Sequence, residues 1–228
     1  MRTLGAVLAL VIAAVAITVS GGSEEPAADN RPPQSAKEVA ALFKGIPQRG
    51  QTLGNRRAPV TLHEFADLKC PICRAYTLRV LPTLLRKYVR PGKLKLVFEP
   101  QTFVGSPPGD SERGARFALA AGIQNKLWQF AELWYRNQGD ERTAYATDDY
   151  IRWIASGVPG LDLDRALAER DSARVAQVLR RSSRLFRAGG YPGTPAFALG
   201  PTGQALRPLA ATIHLAQFTG PIDRLLER

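Results

Sequence analysis

The stretch FADLKCPICRAY, Phe65 to Tyr76, holds both cysteines of this 228-residue chain, Cys70 and Cys73. Nothing elsewhere in the sequence can pair with either. A bridge between them closes so short a loop that it removes little entropy from the unfolded chain. A bond with that little structural return is a candidate for chemistry. Zinc needs four ligands, and the two remaining soft donors, His63 and His214, do not form a second closely spaced pair. The spacing therefore favours a reactive pair over a metal clip or a staple.

The flanking residues say where that pair sits. VTLHEFA, Val60 to Ala66, is rich in strand-forming residues and follows the turn-like GNRRAP. From Pro71 to about Val89 the apolar residues Ile72, Tyr76, Val80, Leu84 and Tyr88 recur at helical spacing, and Pro82 predicts a kink. After a Pro-Gly break, Lys93 to Glu99 alternates as a second strand. The cysteines thus lie where a strand hands over to a helix in a strand–helix–strand unit, whose parallel pairing would be right-handed. A helical region follows. Ile123, Leu127, Phe130 and Trp134 mark the buried face of Ser111 to Gln138, and Thr147 caps the next helix. One further helix is predicted with Leu163, Leu167, Val175, Val178 and Leu185 inward and Gly189-Gly190 at its end. Strands at Pro195–Leu199 and Ala205–Leu209 form a hairpin. A final helix, about Thr212 to Glu227, is interrupted by Gly220-Pro221.

The N-terminus speaks for export. Leu4 to Val19 is almost continuously apolar and just reaches the length of a membrane helix, about 17–25 residues. A retained anchor is preferred over a cleaved signal, because the apolar run continues past the small-residue site at Ala14-Val15-Ala16. Arg2 precedes the run, and Glu24, Glu25 and Asp29 follow it, which sends the remainder across the membrane. Residues 1–22 are therefore read as anchor or signal, 23–40 as a flexible tether, and 41–228 as one domain with a helical insertion at about 110–188. The net charge is +11, from 31 Lys and Arg against 20 Asp and Glu. Its densest run, RRSSRLFR, puts Arg180, Arg184 and Arg187 on one helical stripe, read as a solvated face. With few aromatics beside the arginines, nucleic acid is a poor partner.

A thiolate is the reactive form of cysteine, and its pKa falls at a helix N-terminus. Pro71 suits the first helical position, where its missing N–H is no loss. Cys70 would then stand at the positive end of the helix dipole, with Cys73 one turn in and more buried. Lys69 could add positive charge beside Cys70, although a lone lysine there is more often simply exposed.

The order strand, Cys-Pro-x-Cys, helix, strand, helical insertion, GYPGTPAF, hairpin and final helix resembles the DsbA-like branch of the thioredoxin superfamily, over about Phe43 to the C-terminus. The resemblance implies an α/β thioredoxin-like fold, a central sheet flanked by helices, with the insertion between its β-α-β and β-β-α halves. It implies Cys70 as nucleophile, Cys73 as resolving thiol, and Glu64 as a buried carboxylate that moves protons for the buried cysteine. Thr194-Pro195 would be the cis-proline loop facing the cysteines. Pro71, Ile72, Thr194 and Pro195 would meet the substrate. Ile72 departs from the best-known oxidase, which has histidine there, and this leaves the direction of electron flow open.

The function expected is an extracytoplasmic oxidoreductase, a monomer without metal or other cofactor, that forms disulfides in exported proteins with cysteines. A membrane quinone-linked reoxidase would regenerate it. The alternatives are a membrane-tethered thiol reductase, for example in cytochrome maturation, and a non-catalytic peptide-binding domain.

Overall fold

The computed structural model describes residues 32–104, 110–210 and 213–227. The predicted anchor lies outside the described residues. Among those described, no helix is long and apolar enough to cross a membrane.

The centre of the molecule is β3, Val60–Ala66, buried along nearly its whole length. Val60, Leu62, Phe65 and Ala66 supply apolar contacts on both faces, with Thr61, His63 and Glu64 set among them. It pairs in parallel with β4, Leu94–Pro100, and antiparallel with β5, Ala196–Pro201. The sheet extends outward through β6, Arg207–Leu209, on one edge. On the other edge lie two very short strands, β1 at Gln48–Arg49 and β2 at Thr52–Leu53, giving the order β1-β2-β4-β3-β5-β6. Two-residue strands leave too little pattern for the sequence to announce them.

Helix α1, Ala36–Phe43, starts inside the stretch read as tether, and its Val39 and Phe43 are buried in the core. The folded domain therefore begins before residue 41. The helix predicted from Pro71 to Val89 is not continuous. α2, Pro71–Arg79, ends at Val80, where φ is −108°, two residues before Pro82. A second helix, α3 (Leu81–Leu84), starts there, and its last turn widens into a π-helical segment, Leu85–Val89. Pro82 has no N–H to give to α2, so the chain restarts the helix with the proline in its first turn.

Between the two halves of the sheet stands the insertion: α4 (Asp110–Ile123), α5 (Leu127–Arg136), α6 (Asp148–Ser156), α7 (Leu163–Glu169) and α8 (Ala173–Ala188). Two helices predicted as single are split. Asn125 takes a positive φ of 61° between α4 and α5. Ser172 opens α8 by accepting the Val175 N–H at 3.3 Å. Thr147 caps α6 as expected, through the Tyr150 N–H. Leu185 is exposed and Phe186 takes the inward position, because the restart at Ala173 resets the helical phase. The last helix, α9 (Ala216–Leu226), runs through Pro221 without a break.

The sheet has two unlike faces. Tyr76 of α2, Phe197 of β5 and Phe218 of α9 meet on one, with ring centroids 4.7–5.3 Å apart. Phe65, Phe186 and Tyr191 pack together on the other, under the C-terminal end of α8.

α4 and α5 meet at Gly114. A Cβ there would lie 2.8 Å from Cη2 of Trp134, which is fully buried among Phe130, Tyr145 and Tyr150. Helix propensity alone favours Gly→Ala by about 1 kcal/mol. Overpacking against a ring that cannot move costs about 1–3 kcal/mol. Gly114→Ala is expected to lower the urea midpoint; a raised midpoint would mean that Trp134 has room to give.

Candidate active site

The chain leaves β3 at Ala66 and reaches α2 through Asp67, Leu68 and Lys69. This short connector is tied from every side. Cys70 N–H donates to the Asp67 carbonyl at 3.0 Å, which closes the turn. The Asp67 carboxylate accepts from the N–H groups of Lys69, Phe103 and Val104 at 2.9 Å and from the Ser111 hydroxyl at 3.0 Å. It joins the active-site turn to the loop after β4 and to the insertion. From α5, Tyr135 donates its hydroxyl to the Asp67 carbonyl at 3.1 Å, and just beyond that helix Gln138 donates to the carbonyls of Leu68 and Cys70.

Lys69 is not the exposed charge its position suggests. Its side chain is fully buried, paired with Asp110, donating to the Thr143 carbonyl at 2.7 Å and lying over the Tyr145 ring. A buried ammonium is tolerable only when paired and hydrogen-bonded, and this one is both.

With the connector fixed, Cys70 falls at the N-cap of α2 and Pro71 at its first position. The Cys70 sulfur accepts the Cys73 N–H at 3.3 Å, one of the donors that a helix start leaves without an internal partner. On its other side Cys70 Sγ lies 3.3 Å from the Thr194 carbonyl oxygen, to which its thiol donates. The Thr194-Pro195 peptide is cis. The sequence's two most widely separated site features are therefore in contact. Cys70 and Cys73 are unbridged.

The two thiols are unlike. The Cys70 thiol is brought down from about 9 to about 7. A hydrogen bond from the Cys73 side chain is the largest cause; burial opposes it, and the Thr194 side chain and the N–H groups of Cys73 and Ile72 assist. Cys73, fully buried, is pushed well above the usual thiol range, first by desolvation and then by Cys70. Glu64 points to the same face, in register with Phe98 and Phe197. It is 2% exposed, and burial, with Glu132 adding like charge, raises its carboxyl to about 8. Glu132, on α5, is itself buried and raised to about 7 by desolvation, against the pull of Arg136 at 2.8 Å. Asp67 is raised to about 6 by burial, moderated by the hydrogen bonds it accepts. A carboxyl that stays protonated near neutral pH can exchange a proton with a neighbour as hard to ionise as Cys73.

Beside Cys70 runs an open groove of about 510 Å³, lined by Ile72, Thr194, Pro195, Pro192, Ile213 and His214, among others. Ile72 is 53% exposed at its edge. Pro71, exposed at the first helical position, is not among the lining residues. Of the residues singled out in the sequence, Cys70, Cys73, Thr194 and Glu64 are thus gathered at the dithiol, and Ile72, Thr194 and Pro195 at the groove. Sequence reasoning passed over Asp67, Asp110, Ser111, Glu132, Tyr135 and Gln138. Among the described residues, no group of His, Cys, Asp and Glu could hold a metal ion; His63 instead lies 3.0 Å from Glu99.

The family model described as thioredoxin matches residues 48–203. The chain belongs to the thioredoxin family. Among its relatives is the probable disulfide bond formation protein D of Bacillus cereus, 32% identical over 136 residues, which are 58% of this chain and 62% of the relative. The disulfide bond formation protein D of Bacillus subtilis is 24% identical over 159 residues, 67% of each. The chain thus spans only about two thirds of the length of these relatives. In structure it is similar to oxidised BdbD of Bacillus subtilis, with a TM-score of 0.68 at 20% identity, covering 80% of this chain and 98% of that one. A thioredoxin-like oxidoreductase from Silicibacter pomeroyi gives 0.62 at 26%, covering 83% and 98%. The α-DsbA1 of Wolbachia pipientis gives 0.64 at 18%, covering 81% and 92%. The thioredoxin fold with a DsbA-type helical insertion is the one expected from the sequence.

Two outcomes follow from this electrostatic asymmetry. Thiolate absorbance at 240 nm, followed in the reduced protein, is expected to rise with a midpoint near pH 7 from Cys70 alone. Cys70→Ser should remove that step and leave nothing below pH 9. The second concerns Glu64. Between its ordinary value of 4.5 and about 8, the folded protein holds a proton that the unfolded chain has lost. The stability this confers is complete below pH 4.5 and declines as pH rises toward 8, by about 1.4 kcal/mol per unit. Glu64→Gln is expected to flatten that decline in melting experiments and to gain most at alkaline pH. An unchanged slope would mean that Glu64 ionises normally.

Proposed function

We propose that this domain is an extracytoplasmic thiol:disulfide oxidoreductase that forms disulfides in exported proteins. The observation that carries the reading is the contact of Cys70 Sγ with the Thr194 carbonyl, beside a second thiol that is wholly buried. Both sulfurs are buried, but Cys70 lies against the groove loop and has the lowered pKa, so exchange with a foreign thiol goes through Cys70. The names of the Bacillus relatives, disulfide bond formation proteins, support the direction.

In the oxidised protein a client thiolate attacks Cys70 Sγ. A mixed disulfide forms, the Cys70–Cys73 bond breaks, and Cys73 leaves with the electron pair. Cys73 is strongly basic in its buried site, and protonated Glu64 supplies its proton. A second client thiolate then attacks the client sulfur of the mixed disulfide and releases Cys70 as a thiolate. The client loses two electrons and the dithiol gains them. A membrane quinone-linked thiol oxidase would take them back by the same exchange. The groove edged by Ile72 and Pro195 receives the client chain, whose backbone pairs with the segment before Pro195 as an added strand. The apolar N-terminal run would carry the domain out of the cytoplasm and hold it at the membrane, where it works as a monomer.

One observation favours the reverse direction, a tethered reductase. A Cys70 pKa of about 7 equals the thioredoxin reference value, whereas DsbA's nucleophile lies near 3.5. A less stabilised thiolate makes a weaker oxidant, and Ile72 offers no histidine to lower it.

Expressed in cells, Cys73→Ser is expected to accumulate client proteins as reductant-sensitive adducts on Cys70. Cys70→Ser should lose at least about a hundredfold in catalysed dithiol exchange, the size of a lost nucleophile. Insulin reduction or peptide oxidation at the wild-type rate in Cys70→Ser would remove the enzyme reading.

A further inference from the structure

The dithiol lies beyond the C-terminal end of β3. Away from it two open grooves meet beside the β1–β2 hairpin, one at the starts of β3 and β4 and the other running along these strands as far as His63 and Val97. One, of about 810 Å³, is lined by Arg49, Arg56, Arg57 and Arg90 together with residues of the turns that precede β3 and β4. The other, of about 590 Å³, takes Arg49 and Arg56 again and adds Lys95, Arg174 and Arg181. Arg49, Thr52 and Arg56 belong to both, so the grooves are continuous. Among the described residues, no Asp or Glu lines either.

The charge there is largely uncancelled. Among the described residues, the side chains of Arg49, Arg56, Arg57 and Arg174 have neither a hydrogen-bond nor an ion-pair partner. Arg90 donates to the carbonyls of Leu42 and Lys44, and Lys95 to that of Arg56, which orients these cations without neutralising them. The carboxylate that reaches the lining is Glu99, wholly buried, with Oε1 3.4 Å from Arg181 and 3.0 Å from His63. Asp171, near the start of α8, faces Arg116 and Arg170 instead.

So many cations around one concavity repel each other and focus a positive potential into it. Arginine also matches phosphate better than any other side chain, through its planar fork of donors. The cations are strung along two joined grooves rather than gathered at a point. Arg174 and Arg181 stand two turns apart along α8, both exposed and both lining the second groove, and Arg57 and Arg90 lie in the other. That layout fits a chain of charges better than a single ion, and a concave path admits a chain where a flat bilayer cannot enter. No Phe, Tyr or Trp lines either groove, so bases would find no stacking platform. We propose that the joined grooves bind an extended phosphate-bearing polymer, away from Cys70.

The test uses the full-length protein and a short linear inorganic polyphosphate, with orthophosphate and vesicles containing anionic phospholipid as further arms. Binding is measured across a series of salt concentrations. The expected result is that polyphosphate binds far more tightly than orthophosphate, with affinity falling steeply with salt. R56E/R174E should lose at least tenfold in affinity and flatten the logarithmic salt slope by about 1 to 2, the share of two released counterions. R180E/R184E makes the same change of net charge on the exposed outer face of α8 and should bind like the wild type. All three proteins should exchange thiols at the same rate, which separates this outcome from a failure of the redox reading or of folding. Equal losses in the two double variants would reduce the effect to net charge. That result, vesicle binding without polyphosphate binding, or no difference between polyphosphate and orthophosphate would each overturn the proposal.

Discussion

A buried dithiol can act on foreign proteins only if one of its sulfurs ionises readily and the other does not; here both are buried, Cys70 at 4% exposed and Cys73 at 0%, and only Cys70 has its pKa lowered. Here the first turn of α2 enforces that division. Its N-cap sulfur takes a backbone N–H that the helix cannot use internally and meets the Thr194 carbonyl on its other side. One turn further, Cys73 is packed where neither water nor charge is welcome. The difference between the two thiols is a consequence of where a helix begins, not of any special residue between them.

Where that helix begins is decided outside it. The Asp67 carboxylate collects four donors from three parts of the chain, and Lys69 is drawn away from the cysteines into a buried pair with Asp110. The insertion thus grips the active-site turn from one side, and the loop before β5 faces it from the other. Glu64 and Glu132 occupy the space behind Cys73, both desolvated enough to hold protons near neutral pH. Proton supply and sulfur placement come from different elements, β3 and α5 for the acids, α2 and the Thr194 loop for the thiols.

Much of this was legible in the sequence, for reasons that can be named. β3 shows because its strand-forming residues, Val60 to Phe65, follow a turn-like GNRRAP. The reactive pair shows because its spacing makes no sense as a staple. Glu64 and the Thr194-Pro195 loop came from family resemblance, since nothing local says that residue 194 touches residue 70. Lys69 was misjudged for the same reason: its partner is forty-one positions away and contributes nothing to the local pattern. The splits in the insertion are a different failure. Ser172 carries ordinary N-cap chemistry and Asn125 takes a positive φ, but apolar periodicity continues across both and masks them. Leu185 follows from that mistake, as one helical phase was carried through a restart. The two-residue strands at the sheet edge, by contrast, left no pattern to read, although they frame the basic grooves.

The account rests on the claim that, of two buried sulfurs, Cys70 is the readily ionised one and Cys73 the one the fold closes off. The direct measurement is competitive alkylation of the reduced, native protein at pH 7 with a limiting amount of iodoacetamide, followed by peptide mass mapping. The label is predicted on Cys70, with Cys73 modified only after denaturation. Comparable labelling of both, or Cys73 reacting first, would contradict the account.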